Sequence, residues 1–340
     1  MTALPTPRVV PLRGGPVVRW GVIAPGTIAG DWVSTVHRST DQRVVHVASR
    51  SDARAAEFAA RHSIPRHSAG TAEILSDPGV DIVYIAAPHA HHHPLALEAI
   101  AAGKSVLVEK PIALNAVQAQ EIVDAARAAG VFAMEAMWSR HLPQADLLAQ
   151  LIEGGDLGEI RLATAHLGWQ WPYDPAHPNF DPAVGGGAMI DAGVYSLWFA
   201  HSVLGAPTTL SASGTLAPTG AETEALITLS NAAGASVMVS ASVTTNTPGL
   251  AAVHGTAGAV DYLTSFVFPA RLRISLGGET VEWEDGSGLT GRDGLAWEAT
   301  AIASYIAEGR TESPLHTLDD TLAIMASIDE VRRQLGSLPA

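Results

Sequence analysis

Cysteine is absent from the 340 residues, which excludes disulfides, a thiolate nucleophile and thiolate metal ligands. Basic residues are scarce: 20 Lys+Arg stand against 34 Asp+Glu, a net charge of -14, the wrong sign for a sequence-independent grip on phosphate polymers. Nucleic acid and anionic membrane surfaces are therefore not expected partners. No stretch of about 18 residues is apolar without interruption by charge or breakers, and residues 1–16 carry prolines where a signal peptide has its apolar core. The expectation is a cytoplasmic protein with a flexible tail over residues 1–16. Internal repeats and low-complexity tracts are also missing.

The chain does have enough apolar residues, 47%, to build two domains at about 150 residues each. From Val17 to about Glu135, short β-branched runs alternate with longer alanine-rich amphipathic stretches, the rhythm of parallel βαβ units. Strands are expected at Val18–Ala24, Val44–Ser49, Ile82–Ala86, Ser105–Val108 and Val131–Met134, and right-handed crossovers then give a doubly wound Rossmann sheet. After Trp138 the rhythm changes. A helix, a strand, a loop rich in proline and aromatics from Trp169 to Gly187 and a helix near Ala188–Leu204 lead into short alternating strands between Thr208 and Glu282. Such runs predict a mostly antiparallel open sheet with helices on one face. The expected class is α/β: a Rossmann domain over residues 17–137, then an α+β domain over residues 138–340 for substrate binding and oligomerisation.

The first strand runs straight into Gly21-Val-Ile-Ala-Pro-Gly-Thr-Ile-Ala-Gly30, which has the place and spacing of a dinucleotide fingerprint with Ala24 at the usual first glycine. Gly26 would let the backbone approach a pyrophosphate. Thr27 and Ile28 open the helix whose N–H groups and dipole would meet it, and Ala29 permits close packing on the sheet. A turn that binds nothing is the plainer reading of a degenerate fingerprint, but the strand–turn–helix context favours the cofactor. The second strand ends in Ser49-Arg50-Ser51, with Arg54 nearby. No acid stands there to bind the ribose hydroxyls of NAD, and a hydroxyl beside a guanidinium fork suits a 2′-phosphate. NADP is the expected cofactor, with NAD second.

Further on come Ile82-Val-Tyr-Ile-Ala-Ala-Pro-His-Ala-His-His-His93 and Ala101-Ala-Gly-Lys-Ser-Val-Leu-Val-Glu-Lys-Pro111. From Arg19 to Leu204 the chain resembles the Gfo/Idh/MocA oxidoreductases, whose signature is a Glu-Lys-Pro after the fifth strand. Met134-Glu-Ala-Met-Trp-Ser-Arg140 and Gly185-Gly-Gly-Ala-Met-Ile-Asp-Ala-Gly-Val-Tyr195 make it most similar, within that family, to the dimeric dihydrodiol dehydrogenases and NADP-dependent D-xylose 1-dehydrogenases. The resemblance implies hydride transfer, a second sheet that often forms a dimer interface, and a cleft between the domains. It makes Lys110 the catalytic lysine, aimed by the peptide before Pro111, and Asp191 the family's aspartate. Tyr195 stands where many members have histidine, but tyrosine is the pattern of the dihydrodiol dehydrogenases. Cofactor contacts are implied for Ala87, Pro88, His89, His92 and Glu109. Ala24, and His89 where asparagine is common, depart from the family pattern.

Asp191 and Tyr195 are four apart in an expected helix and so share one face. To take a proton from a substrate hydroxyl at neutral pH, a tyrosine needs about 4 kcal/mol of phenolate stabilisation. A nearby ammonium has the right sign, and Lys110 is the candidate. In this reading Tyr195 takes the proton, Lys110 stabilises the developing oxyanion, Asp191 orients the pair, and hydride leaves the same carbon; the roles of Lys110 and Tyr195 can be exchanged.

His89, His91, His92 and His93 invite a metal reading, but consecutive histidines at a helix start point in different directions without a carboxylate at ligand spacing, so no metal is expected. Trp138, Arg140, Trp169, Trp171, Tyr173, His177 and Phe180 concentrate aromatic surface suited to a sugar ring or small cyclic diol. Trp138, Arg140 and Trp171 are the expected substrate contacts, with core or dimer packing as the plainer role. The whole pattern predicts an NADP-dependent dehydrogenase of a sugar, polyol or cyclic diol, acting as a homodimer or homotetramer. Two other readings are an NAD-dependent glycoside hydrolase of the same superfamily, opposed by Arg50 and Tyr195, and a non-catalytic nucleotide-binding sensor, opposed by Lys110, Asp191 and Tyr195.

Overall fold

The β-branched runs of the N-terminal half pair side by side in the computed structural model, which describes residues 4–337. Six parallel strands, β1 (Arg19–Ile23), β2 (Arg43–Ser49), β3 (Arg66–Ala69), β4 (Ile82–Ile85), β5 (Ser105–Val108) and β6 (Ala133–Glu135), form a sheet in the order β3-β2-β1-β4-β5-β6. The order reverses at the β1–β4 pair, and doubly wound sheets bind ligands outside the carboxyl ends of their strands at such a switch point. The connecting helices are α1 (Thr27–Ser39), α2 (Asp52–His62), α3 (Ala72–Ser76), α4 (His92–Ala101) and α5 (Ala116–Ala129). Every residue of β4 is buried, as a central strand covered on both faces requires. Gly21 in β1 is a packing requirement, since a Cβ there would stand 2.8 Å from Ile74 Cδ1 of α3.

Strand β3 is absent from the sequence expectation. Its residues, Arg-His-Ser-Ala, show no apolar alternation, and all but Ser68 are exposed. Parallel pairing with β2 at the sheet edge, rather than burial of a face, makes this segment a strand.

The second sheet has eight strands in the order β14-β13-β12-β11-β7-β10-β9-β8: β7 (Ile160–Gly168), β8 (Thr209–Leu216), β9 (Glu222–Ser230), β10 (Ser236–Ser242), β11 (Ala251–Gly255), β12 (Gly258–Tyr262), β13 (Leu272–Leu276) and β14 (Glu279–Trp283). All pairings are antiparallel except β7 with β10. Helix α6 (Pro143–Glu153) precedes this sheet, and α7 (Val194–Leu204) packs on β7 and β10. The alternation of the strands leaves Leu162, Leu226 and Met238 exposed.

Two compact units divide the described chain, one of residues 9–141 and 290–321, the other of residues 4–8, 142–289 and 322–337. The division therefore differs from a single boundary at residue 138. Helix α8 (Leu295–Ala307) accounts for the return of residues 290–321: Leu295 to Ala303 are all buried, so the helix needs cover on every side, part of it from α1. Helix α9 (Leu318–Leu335) ends the regular structure. Of the expected flexible tail, residues 1–3 lie outside the described residues. The rest is pinned by guanidinium contacts: Arg8 to Asp146 at 2.9 Å, and Arg13 to Asp41 at 3.0 Å and to the carbonyl of Arg38 at 2.6 Å. Among the described residues, no helix is long and apolar enough to cross a membrane.

Candidate active site

In the first unit, β1 ends at a turn in which Ala24 has φ +65°, a left-handed conformation that costs a residue with a Cβ about 1–2 kcal/mol. The turn is held by Ala24 N–H donating to Ala48 O (3.0 Å) and Gly26 N–H donating to Ala24 O (2.9 Å). Gly26 is the N-cap of α1, offers no side-chain cap, and has φ −101°. A Cβ added to Gly26 would meet nothing within 4 Å. Neither conformation nor packing thus demands glycine here. What glycine does supply is room, in front of the uncapped N–H groups of Thr27, Ile28 and Ala29, for the close approach of an anionic ligand.

At the end of β2, Ser49 Oγ accepts from Ser51 N–H (3.3 Å), and Ser51 caps α2 through Arg54 N–H. Arg50 and Arg54 project from this turn, both exposed. Among the described residues no carboxylate forms an ion pair with either guanidinium. Both guanidiniums thus face solvent at the start of α2, where the helix N-terminus also carries partial positive charge.

At the switch point, β4 is followed by Ala86 and Ala87, both buried, then by exposed Pro88 and half-buried His89. His92 opens α4 and points inward. Its Nδ1 lies 2.8 Å from Pro111 O and its Nε2 2.7 Å from Ala87 O. Burial is the larger influence on this imidazole and lowers its pKa. His92 therefore supports the two loops from behind. His93 turns elsewhere, to Glu121 at 2.6 Å, and among the described residues no group of three or more His, Asp or Glu side chains could hold a metal.

The Glu-Lys-Pro turn follows β5. Glu109 is directed inward, where it accepts from Tyr84 Oη and from the Lys110 N–H, and burial raises its carboxyl pKa. Lys110 is half-buried and precedes a cis peptide to Pro111. Ile112 N–H donates to Glu135 Oε1 (3.0 Å), and Glu135 Oε2 accepts from His316 Nε2 (3.0 Å) and Thr321 Oγ1 (3.2 Å). After β6 the chain makes a short turn in which Trp138 is buried, while Arg140 Nε donates to Leu315 O (3.0 Å). That bond ties Arg140 to the segment that carries His316.

In the second unit, the chain enters α7 through a π-helical turn, Met189–Gly193, a local widening frequent at functional sites. Asp191, on this turn, is half-buried; Tyr195, just inside α7, is buried. The Trp169 ring stands edge-on to the Tyr195 ring, 6.3 Å between centroids. The loop before it is an aromatic cluster: Trp171 against His177 (5.1 Å) and Tyr173 against Phe180 (5.1 Å). Trp171 and Tyr173 are exposed and Phe180 is fully buried, so the cluster has a core side and a solvent side.

The glycines ahead of Asp191 are steric requirements. Gly187 has φ +125°, and a Cβ there would lie 1.9 Å from Glu222 Oε2; one on Gly186 would lie 2.4 Å from Pro178 O. Buried Glu222 accepts from Arg332 Nε (2.9 Å) and Ser337 Oγ (2.5 Å).

Comparison with known proteins matches these elements to two family profiles. The profile described as "Oxidoreductase family, NAD-binding Rossmann fold" covers residues 18–137, and the GFO/IDH/MocA C-terminal domain covers residues 146–261. This chain belongs to the Gfo/Idh/MocA oxidoreductases. It is 32% identical to the mouse trans-1,2-dihydrobenzene-1,2-diol dehydrogenase, covering 94% of this chain and 97% of the other, and 32% identical to the human one at the same coverage of this chain. Among solved structures it is similar to levoglucosan dehydrogenase in complex with NADH and levoglucosan (TM-score 0.85, 20% identity, 94% and 97% coverage). It is also similar to a 3-ketoreductase from Actinomadura kijaniata in complex with NADP and TDP-benzene (TM-score 0.79, 25% identity, 94% and 98% coverage).

For a Gfo/Idh/MocA chain, the sequence motifs locate the turns and miss what holds them. Within the first unit the structure brings Ala87, Pro88, His89 and Lys110 to neighbouring strand ends, with Ala24, Gly26, Thr27 and Ile28 on the turn after β1. Within the second it sets Trp169 against Tyr195 and places Asp191 on the π-helical turn just before α7. Glu135, His316 and Thr321, and likewise Glu222 and Arg332, were not singled out by sequence. The one available signal was Glu135 inside the Met134–Arg140 motif; the partners are more than 100 residues away along the chain.

Proposed function

We propose that this oxidoreductase transfers a hydride between the hydroxyl-bearing carbon of a sugar, polyol or cyclic diol and the nicotinamide of NADP. The observation that carries the reading is the Glu109-Lys110-Pro111 turn held at the carboxyl end of β5, next to β4, on the side of the sheet where a doubly wound fold places its dinucleotide. The full-length similarity to dihydrodiol dehydrogenases supports the diol or sugar substrate, and unpaired Arg50 and Arg54 support NADP.

The residues present fit such a cofactor. The N–H groups of Thr27 and Ile28, with Gly26 leaving room in front of them, would hold the pyrophosphate, Ser49, Arg50 and Arg54 the 2′-phosphate, and Ala87, Pro88 and His89 the nicotinamide ribose. When bound, the nicotinamide supplies the hydride acceptor. The remaining steps belong to side chains. Tyr195 Oη takes the hydroxyl proton, Lys110 Nζ stabilises the developing negative charge, and Asp191, four residues before Tyr195, orients the phenol. The exposed edge of Trp171 offers an apolar wall for a ring. Trp138 and Arg140 act from inside the first unit, shaping the turn after β6.

The test is reduced-nicotinamide formation from NADP+ and NAD+ with D-xylose, D-glucose, inositol and a trans-dihydrodiol, for the wild type, Lys110→Ala and Tyr195→Phe. Turnover with NADP+ that collapses in both variants is the expected result. Silence with every alcohol, in protein that binds NADP+, overturns the dehydrogenase reading and favours a redox-neutral hydrolase or a sensor.

A further inference from the structure

One peptide unit in the first unit is gripped at both ends by buried ionisable side chains. The Pro111–Ile112 peptide presents its carbonyl to His92 Nδ1 (2.8 Å) and its N–H to Glu135 Oε1 (3.0 Å). Glu135 is held in turn by His316 Nε2 (3.0 Å) and Thr321 Oγ1 (3.2 Å), which also contact each other at 3.1 Å. The His316 and Leu315 N–H groups donate to Ser313 Oγ, at 3.1 Å each. None of Glu135, His316 and Thr321 is more than 3% exposed.

A carboxylate in such a place loses several kcal/mol of hydration, and an apolar residue of its size would fill the space without that loss. What the apolar residue could not do is accept the Ile112 N–H, and an orphaned buried N–H costs about 1–3 kcal/mol. The polar expenditure is thus concentrated on the peptide that directly follows the Lys110–Pro111 bond. We propose that Glu135 and His92 are positioning residues that fix Lys110 by gripping this peptide, and that His316 and Thr321, through Glu135, make the 313–321 segment part of that support. The functional significance rests on Lys110 acting in the proposed reaction; the grip itself is testable without it.

The sequence supplies an unusually clean reporter. Lys104 and Lys110 are the only lysines in the chain, and Lys104 Nζ is separately tied to the carbonyls of Asp77 (2.6 Å) and Val80 (2.8 Å). Trace acetylation of the full-length protein, with the two lysine peptides quantified by mass spectrometry, reads Lys110 against Lys104 as an internal standard. Freeing the turn increases local opening, so Glu135→Ala is expected to raise the Lys110:Lys104 ratio at least about threefold. Glu135→Gln, whose amide oxygen still accepts the Ile112 N–H, restores the wild-type ratio. Thr321→Val, which removes one donor to Glu135 without changing shape, gives a smaller rise and serves if Glu135→Ala does not fold.

An unchanged ratio in Glu135→Ala, equal ratios in the Ala and Gln variants, or an unchanged ratio in Thr321→Val if that variant must stand alone, overturns the proposal. With a substrate that is turned over, a misplacement of about 1 Å lowers kcat about 100-fold. The KM for the alcohol and the Kd for NADP+ should stay near wild type. Retained turnover in Lys110→Ala would defeat the catalytic reading while leaving the labelling result to decide the grip.

Discussion

Replacing Arg50 with alanine should separate NADP+ from NAD+. The 2′-phosphate is the only difference between the two, and Arg50 stands exposed at the end of β2 with no carboxylate to neutralise it. A hydrogen bond between charged partners contributes about 1.5–3 kcal/mol net. Exposure to solvent and salt places this one at the lower end, so NADP+ binding is expected to weaken about tenfold. Adding Arg54→Ala brings a further loss smaller than the first, because two guanidiniums around one phosphate are not independent. Calorimetric titration with NADP+ and NAD+ at low and high ionic strength measures both effects. The NADP+ affinity of the wild type should fall with salt more steeply than that of the variant, and NAD+ should bind both proteins alike. If NAD+ loses as much affinity as NADP+, or neither changes, the assignment of this turn to the 2′-phosphate is wrong.

Three stability measurements probe other parts of the molecule. Gly187→Ala puts a Cβ 1.9 Å from Glu222 Oε2 at a φ of +125° and should cost about 3 kcal/mol or more in urea unfolding; a cost below about 1 kcal/mol would show that the loop is not gripped as described. His141 is buried with both ring nitrogens unpartnered, and burial, followed by Arg140 and His316, pushes its pKa down to about 3. Its folded value lies below the unfolded one, so the unfolded chain takes up the proton first. Stability should fall, by at most about 1.4 kcal/mol per pH unit, as pH drops below 6.5 towards 3; a His141→Gln variant with the same acid profile would refute this source. Glu298, fully buried on α8, is shifted the other way, its carboxyl pKa raised well above the usual range by burial and then by Glu109. Its contribution is full below the unfolded carboxylate pKa and is lost as pH rises towards the folded value. Glu298→Gln should therefore gain stability over wild type at pH 8 relative to pH 5, and an equal difference at both pH values would count against a neutral buried acid.

The parts of this protein that were legible in the sequence are those whose cause is local. An apolar run, a Gly26 ahead of a helix and a Glu-Lys-Pro after a strand each state their structure within a few residues, and the doubly wound sheet and the turn after β1 follow from them. Strand β3 was not legible because its cause is a neighbour: Arg66 to Ala69 carry no pattern of their own and become a strand by pairing with β2. The return of α8 to the first unit has the same character, since a helix buried from Leu295 to Ala303 says that it must be covered but not by what.

The supports of the candidate site lie further still from any local signal. Glu135 is 181 residues from His316, and Glu222 is 110 residues from Arg332. A lone buried carboxylate reads in sequence as a surface charge, and only its partner removes the penalty of burying it. The motif residues thus state their own turns, while what holds those turns in place depends on these remote pairs. If that is so, a double substitution of Glu222 and Arg332 to apolar residues of matching size should fold more stably than Arg332→Ala alone, which leaves the carboxylate uncompensated at a cost of about 3–5 kcal/mol. Turnover in the double variant should nevertheless fall, because the Arg332 guanidinium that donates to the Gly186 carbonyl (3.5 Å), in the loop before Asp191, would be gone; turnover equal to wild type would show that the pair serves stability and not the site.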